Sequence, residues 1–183
     1  MGLKQGLEQV VVAARAAVLS APQVRFILLG EGSQRAALES ASKDLPSVQF
    51  LPTQSADDYA QALMAADVLL LSERGTSVDM SLPSKLTAYC AAGRPIVAAV
   101  REGGATWTEV ERIGAGLLVP AGDPTALLAA LARLAGDPKM AAELGARGLD
   151  HAQGRYSEED AFARVDDLVS RLLTSGRRAE AVA

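Results

Sequence analysis

The sequence predicts an α/β fold, a Rossmann-like open parallel sheet with helices on both faces. Three observations predict it. Short apolar runs and amphipathic helical stretches alternate from end to end, the mark of repeated strand–helix units. The runs "VRFILLG" at 24–30 and "PIVAAV" at 95–100 are apolar almost throughout, as strands buried on both faces are. Hydrophobic residues make up 49% of the 183 and charged residues 22%, which suits a packed core and argues against disorder.

Residues 4–19 place Leu7, Val10, Val11, Ala14 and Val18 at helical spacing, and Pro22 ends that segment. A strand over 24–30 closes on Gly30, and a helix follows over 33–43. "VQFLP" at 48–52 is a short strand stopped by proline. The helix at 55–66 opens with Ser55 and Asp58 at capping-box spacing. A strand at 67–72 leads into a loop over 73–82. Next come a helix at 84–92, a strand at 95–100, a helix at 106–114 stopped by Gly114, and a strand at 116–120. Asp123 and Pro124 open a helix at 123–136, as a cap followed by proline in the first position. Helices at 138–152 and 157–173 complete the chain. Residues 1–174 read as one domain and 175–183 as a flexible tail.

The net charge is −4, which disfavours a nucleic-acid binder and makes any phosphate site local. One cysteine, Cys90, forms no disulfide within the chain; with one histidine, His151, it makes no metal cluster. Cys90 reads as a buried small hydrophobe and His151 as a helix-end residue. No apolar run reaches the ~18 residues that span a bilayer. Arg15 interrupts "VVVAARAAVLSA", so this is an amphipathic helix rather than a signal segment. The expected location is cytoplasmic.

Gly30 and Gly32 lie between a strand and a helix, but the third glycine of the dinucleotide fingerprint is replaced by Arg35. The two glycines make a tight turn and let the backbone approach a neighbouring loop. "LPSK" at 82–85 opens a helix whose first turn holds no acid. That positive end suits an outside anion, unless Ser84 is only a cap and Lys85 only a solvated side chain. In open parallel sheets ligands lie outside the carboxyl ends of the strands. The loops of Lys4, of Gly30 and Gly32, and of Pro83 to Lys85 share that rim. Two lysines and a helix N-terminus there could hold a diphosphate. Glu73 and Asp79 are the nearest acids and read as solvated loop residues.

The pieces "MGLKQGLE", "VRFILLGEGSQRAALE", "VQFLP", "ADDYAQALMAADVLLLS", "LPSKLTAYCAAGRPIVAAV", "GAGLLVPAGDPTALLAAL" and "LGARGLDHAQGRYS" together resemble the C-terminal, donor-binding half of family-four (group 1) retaining GT-B glycosyltransferases. The "PSK" stretch is similar to the subgroup that builds surface polysaccharides. The resemblance covers the chain to about residue 173. It implies a nucleoside diphosphate sugar as substrate, of UDP or GDP type, with no cofactor and no metal. It places Lys4 at the donor diphosphate and Gly30 and Gly32 along the cleft. Leu51 and Pro52 would grip the base through the backbone. Ser84, Lys85 and Leu86 would open the helix that faces the phosphates. No catalytic side chain is assigned; preorganised positive charge would stabilise the leaving diphosphate.

The family's two glutamates would fall at Met80 and Ala88, and neither position is acidic. Pro83 has no N–H to offer a phosphate. The resemblance also implies an N-terminal acceptor domain outside this sequence, through which alone any membrane association would come. The first strand of the sheet would likewise lie outside it. The expected behaviour is donor binding without turnover by this chain alone. A UDP-sugar epimerase half and a non-catalytic nucleotide-binding fragment are the alternatives.

Overall fold

The computed structural model describes residues 1–76, 83–155 and 158–180. The chain opens with a 3-10 turn at Leu3–Gln5. It then forms α1 (Glu8–Ser20), β1 (Phe26–Leu29), α2 (Arg35–Ala41), β2 (Val48–Leu51), α3 (Ala56–Ala65) and β3 (Leu69–Ser72). The second half is α4 (Lys85–Ala91), β4 (Ile96–Val100), α5 (Ala105–Ile113), β5 (Gly116–Pro120), α6 (Pro124–Gly136), α7 (Pro138–Arg155) and α8 (Glu158–Glu180).

All strand pairs are parallel: β1 with β2, β3 with β4, and β4 with β5. They fall into two sheets, β1-β2 and β3-β4-β5. Among the described residues no ladder joins the two sheets.

Alternation along the strands feeds two cores. Phe26 and Leu28 of β1 and Val97 and Ala99 of β4 meet α1, α2 and α6 on one face. Leu71 of β3 and Ile96, Ala98 and Val100 of β4 meet α4 and α5 on the other. Every residue of β4 is 0% exposed, as the central strand of its sheet should be. Each fully buried Val or Ile contributes about 1.5–3 kcal/mol relative to exposure. Local signals set the helix ends. The Ser55 hydroxyl accepts from the Asp58 N–H at 3.1 Å, and the Asp123 carboxylate accepts from the Ala126 N–H at 2.9 Å. Gly114 closes α5 with φ 68°, which glycine takes at little cost.

Three expectations need correction. The helix expected over 4–19 is broken at Gly6, which takes φ 56° and brings the chain close to the backbone of Glu73 and Arg74. Val18 is 49% exposed, and the buried stripe of α1 runs instead through Val10, Val11, Ala13, Ala14 and Ala17. The last helix, expected over 157–173, runs on to Glu180 through "RRAE", residues with good helix propensity. Asp79 and Met80 lie outside the described residues. No described helix is long and apolar enough to cross a membrane.

Candidate functional site

The site is built where β1, β2 and β3 end. The turn after β1 holds Gly30 at φ 112° and Gly32 at φ 146°. Gly30 has open space around it, so the backbone angle alone calls for glycine there. At Gly32 a Cβ would also collide with the Met1 backbone. The Gln34 N–H donates to the Met1 carbonyl at 3.1 Å, and the Met1 amino group donates to the Glu31 carbonyl. Three residues on, the Arg74 N–H donates to the Lys4 carbonyl at 2.9 Å. The segment Met1–Lys4 therefore runs from the end of β1 to the end of β3, and carries Lys4, an exposed residue, onto the rim.

Leu51 joins the same rim. The Gly30 N–H donates to the Leu51 carbonyl at 3.0 Å. Arg35 reinforces the junction, donating from one nitrogen to the Gly30 carbonyl at 2.8 Å and to the Leu51 carbonyl at 3.0 Å. The guanidinium also pairs with Glu31 and Glu39 and lies 5.9 Å from the centre of the Phe50 ring. The residue that breaks the dinucleotide fingerprint is thus the clamp of this turn. Pro52 is exposed, and its carbonyl accepts from the Gln54 side-chain amide at 2.9 Å.

Behind the rim lies a buried polar network. The Gln9 amide donates to the Ser72 hydroxyl at 2.8 Å and accepts from the Gly122 N–H at 2.8 Å. Ser72 in turn donates to the Gln5 carbonyl at 2.6 Å. These bonds tie α1, the ends of β3 and β5, and the Lys4 turn into one unit. The Thr106 hydroxyl, 3% exposed, donates to the Glu73 carboxylate at 2.8 Å, so Glu73 is anchored rather than merely solvated. Gln9 sits on the apolar stripe of α1, and a polar side chain in such a stripe was the available signal for the network. Thr106 carried no comparable signal.

The third segment is the start of α4. Ser84 precedes Lys85 and makes no side-chain cap bond, and no acid stands in the first turn. Lys85 is solvent-exposed as a whole residue, yet the protein packed around its ammonium group lowers its pKa from the ordinary lysine value by desolvation. Leu86 is 2% exposed, with its side chain in the core and its N–H donated to the Pro83 carbonyl at 2.9 Å. Ser84, Lys85 and Thr87 are the residues at this helix start that face water. Ala88, half-buried, lies one turn further on.

Two residues set aside in the sequence lie away from this rim. Cys90 is 0% exposed, and burial, helped by Glu109, pushes its thiol pKa up to about 11. It remains a packed thiol. His151, inside α7, lies 3.2 Å from Arg112, which is paired with Glu109, so this cluster joins α5 to α7.

The family model for "Glycosyl transferases group 1" matches residues 2–137. The chain belongs to this family. A protein named for glycosyl transfer in colanic acid biosynthesis, WcaI of Escherichia coli (strain K12), is 37% identical over 95 residues, covering 51% of this chain and 23% of that protein. Among solved structures, Anabaena HepE with UDP superposes with a TM-score of 0.75 at 19% identity, covering 95% of this chain and 46% of HepE. Sucrose-phosphate synthase from Thermosynechococcus elongatus gives 0.75 at 25% identity, covering 95% of this chain and 44% of its own. The C-terminal domain of the Francisella tularensis group 1 protein LpcC gives 0.69 at 16% identity, covering 86% of this chain and 83% of that domain. The chain thus spans under half of HepE and of the synthase, and its fold is that of GT-B glycosyltransferases.

Proposed function

We propose that this chain is the donor-binding half of a retaining glycosyltransferase, taking a UDP-sugar for transfer to a glycan or lipid-linked acceptor in polysaccharide biosynthesis. The observation that carries the reading is the joining of the Lys4 turn, the Gly30–Gly32 turn and Leu51 at one strand rim by main-chain hydrogen bonds. It is supported by a fold shared with HepE, which was crystallised with UDP and with UDP-glucose. The WcaI likeness supports the polysaccharide setting.

In this reading Lys4 and Lys85 meet the diphosphate, and the start of α4 adds its positive end. As the glycosidic bond to phosphate breaks, charge builds on the leaving oxygens, and fixed cations lower the barrier by stabilising it. Leu51 and Pro52 line the base through their backbone, and Gly30 and Gly32 let the chain approach the sugar closely. Leu86 acts from the core, setting the angle of α4. The acceptor side belongs to a further domain, so the chain alone binds donor and transfers nothing. Titrating UDP, GDP and ADP by calorimetry tests the reading: a preference for UDP is expected, and equal or absent binding of all three would overturn it.

A further inference from the structure

The main chain at the end of β2 is already engaged. Leu51 stands opposite Leu29 in the ladder with β1. Its carbonyl accepts from the Gly30 N–H at 3.0 Å and from Arg35 at 3.0 Å, which uses both of its lone pairs. Its N–H turns to β1 as well, because the N–H and C=O of one residue in a parallel strand face the same neighbour. Pro52 has no N–H. Its carbonyl accepts from the Gln54 side-chain amide at 2.9 Å. Leu51 and Pro52 can therefore flank a base, but they offer it no main-chain donor.

The next amide along the loop is that of Gln54. The loop is short and held at both ends. Leu51 is tied to the turn after β1, and Ser55 caps α3 by accepting from the Asp58 N–H at 3.1 Å. Gln54 is half-buried between the exposed Thr53 and Ser55. Its bond to Pro52 turns the side chain back toward the end of β2 and fixes which way the amide faces. The nitrogen must meet the carbonyl, since two oxygens would repel. A carboxamide carries two N–H groups and an oxygen. With one N–H on Pro52, a second N–H and Oε1 remain, and among the described residues neither has a partner.

We infer that the Gln54 side chain selects the base of the nucleotide, by reading a ring N–H and the carbonyl next to it. Uracil presents that pair at N3 and O4, and guanine presents it at N1 and O6. Oε1 accepts from the ring N–H while the spare amide N–H donates to the base carbonyl, a two-point contact of the kind amides make with base edges. Cytosine and adenine present the reverse, a ring nitrogen acceptor beside an amino donor. To meet them the amide must turn over, which sets Oε1 against the Pro52 carbonyl and loses that bond. Pro52 is thus the group that makes the amide selective. This inference rests on the donor reading above.

The test is calorimetry on the unaltered chain and on Gln54→Leu, which keeps the bulk of the side chain without its polar atoms. Each is titrated with UDP, CDP, GDP, ADP and inorganic pyrophosphate. The unaltered chain is expected to favour UDP over CDP, and GDP over ADP, by on the order of tenfold. The tighter of the two pairs names the ring that fits. In Gln54→Leu both ratios should fall to about one, with pyrophosphate affinity unchanged. On the ¹⁵N-labelled unaltered chain the Gln54 side-chain amide protons should shift with UDP and stay in place with pyrophosphate, a readout that holds even if Gln54→Leu does not fold. Equal weakening of UDP and CDP in Gln54→Leu would mean that the amide only closes the loop, and would overturn the inference. So would a UDP to CDP ratio that survives the substitution, or UDP binding that leaves the Gln54 amide unmoved. These outcomes leave the donor reading intact. Failure of that reading shows instead in the unaltered chain, as no binding of any of the four nucleotides, and takes this inference with it.

Discussion

The Arg35 guanidinium donates to the Leu51 carbonyl at 3.0 Å, from the same nitrogen that reaches the Gly30 carbonyl at 2.8 Å. One side chain thereby locks the turn after β1 to the end of β2. Replacing Arg35 by Ala should cost about 1.5–3 kcal/mol, the scale of hydrogen bonds made by a charged group. Lys should recover little, because a compact ammonium lacks the planar fork. Urea unfolding of the two variants checks this; near-wild-type stability of Arg35→Lys would show that charge alone suffices.

Gln9 bridges Ser72 and Gly122, each at 2.8 Å, from within the apolar stripe of α1. Gln9→Leu keeps the volume but strands the Gly122 N–H. The expected loss is about 1–3 kcal/mol, despite the more hydrophobic side chain. Because the network also reaches the Lys4 turn through Gln5, UDP affinity should fall as well. A more stable Gln9→Leu chain would mean that water replaces the amide without cost.

Desolvation lowers the Lys85 pKa, so the folded chain holds that proton less tightly than the unfolded one. The charged form therefore costs stability below the folded pKa. That cost fades as pH rises from there toward the unfolded lysine value. A bound diphosphate acts in the opposite sense and favours the ammonium. UDP affinity should then fall as pH rises through the free-chain value, with proton uptake on binding in that window. Calorimetry in two buffers of different ionisation enthalpy reads the uptake. In Lys85→Ala the uptake should vanish and UDP should bind about 1.5–3 kcal/mol more weakly, with UMP less affected. Lys4→Ala should show the same preference for loss with the diphosphate.

Ala88 stands where the family resemblance puts a ribose-binding glutamate. Ala88→Glu should raise UDP affinity by about 1.5–3 kcal/mol, with little effect on 2′-deoxy-UDP. Equal effects on both would mean that this face of α4 does not meet the ribose.

Most of the fold was legible because strand and helix alternate with strong local punctuation. Ser55, Asp123 and Gly114 end their helices by bonds or backbone angles that depend only on near neighbours. The break at Gly6 was not legible because its cause lies elsewhere: the backbone at Glu73 and Arg74 passes beside it, a contact 67 residues or more away in sequence. At the site, Lys4, Gly30 and Gly32 were visible as residue types in loops. What Arg35 does was not, since its two carbonyl partners come from different strand ends. Leu86 belonged to a familiar motif, yet its side chain fills the core while Lys85 beside it faces water.

The central claim is that a nucleoside diphosphate binds at the carboxyl ends of β1 and β3 and the start of α4. Chemical-shift mapping of UDP on the ¹⁵N-labelled chain tests it most directly. The largest saturable shifts are expected at the amides of Lys4, Gly30, Gly32, Leu51, Ser84 and Lys85, with uridine giving only the Leu51 part of the pattern. Shifts centred instead on α5 and α7 around Arg112 and His151, or none at millimolar UDP in a folded chain, would contradict the account.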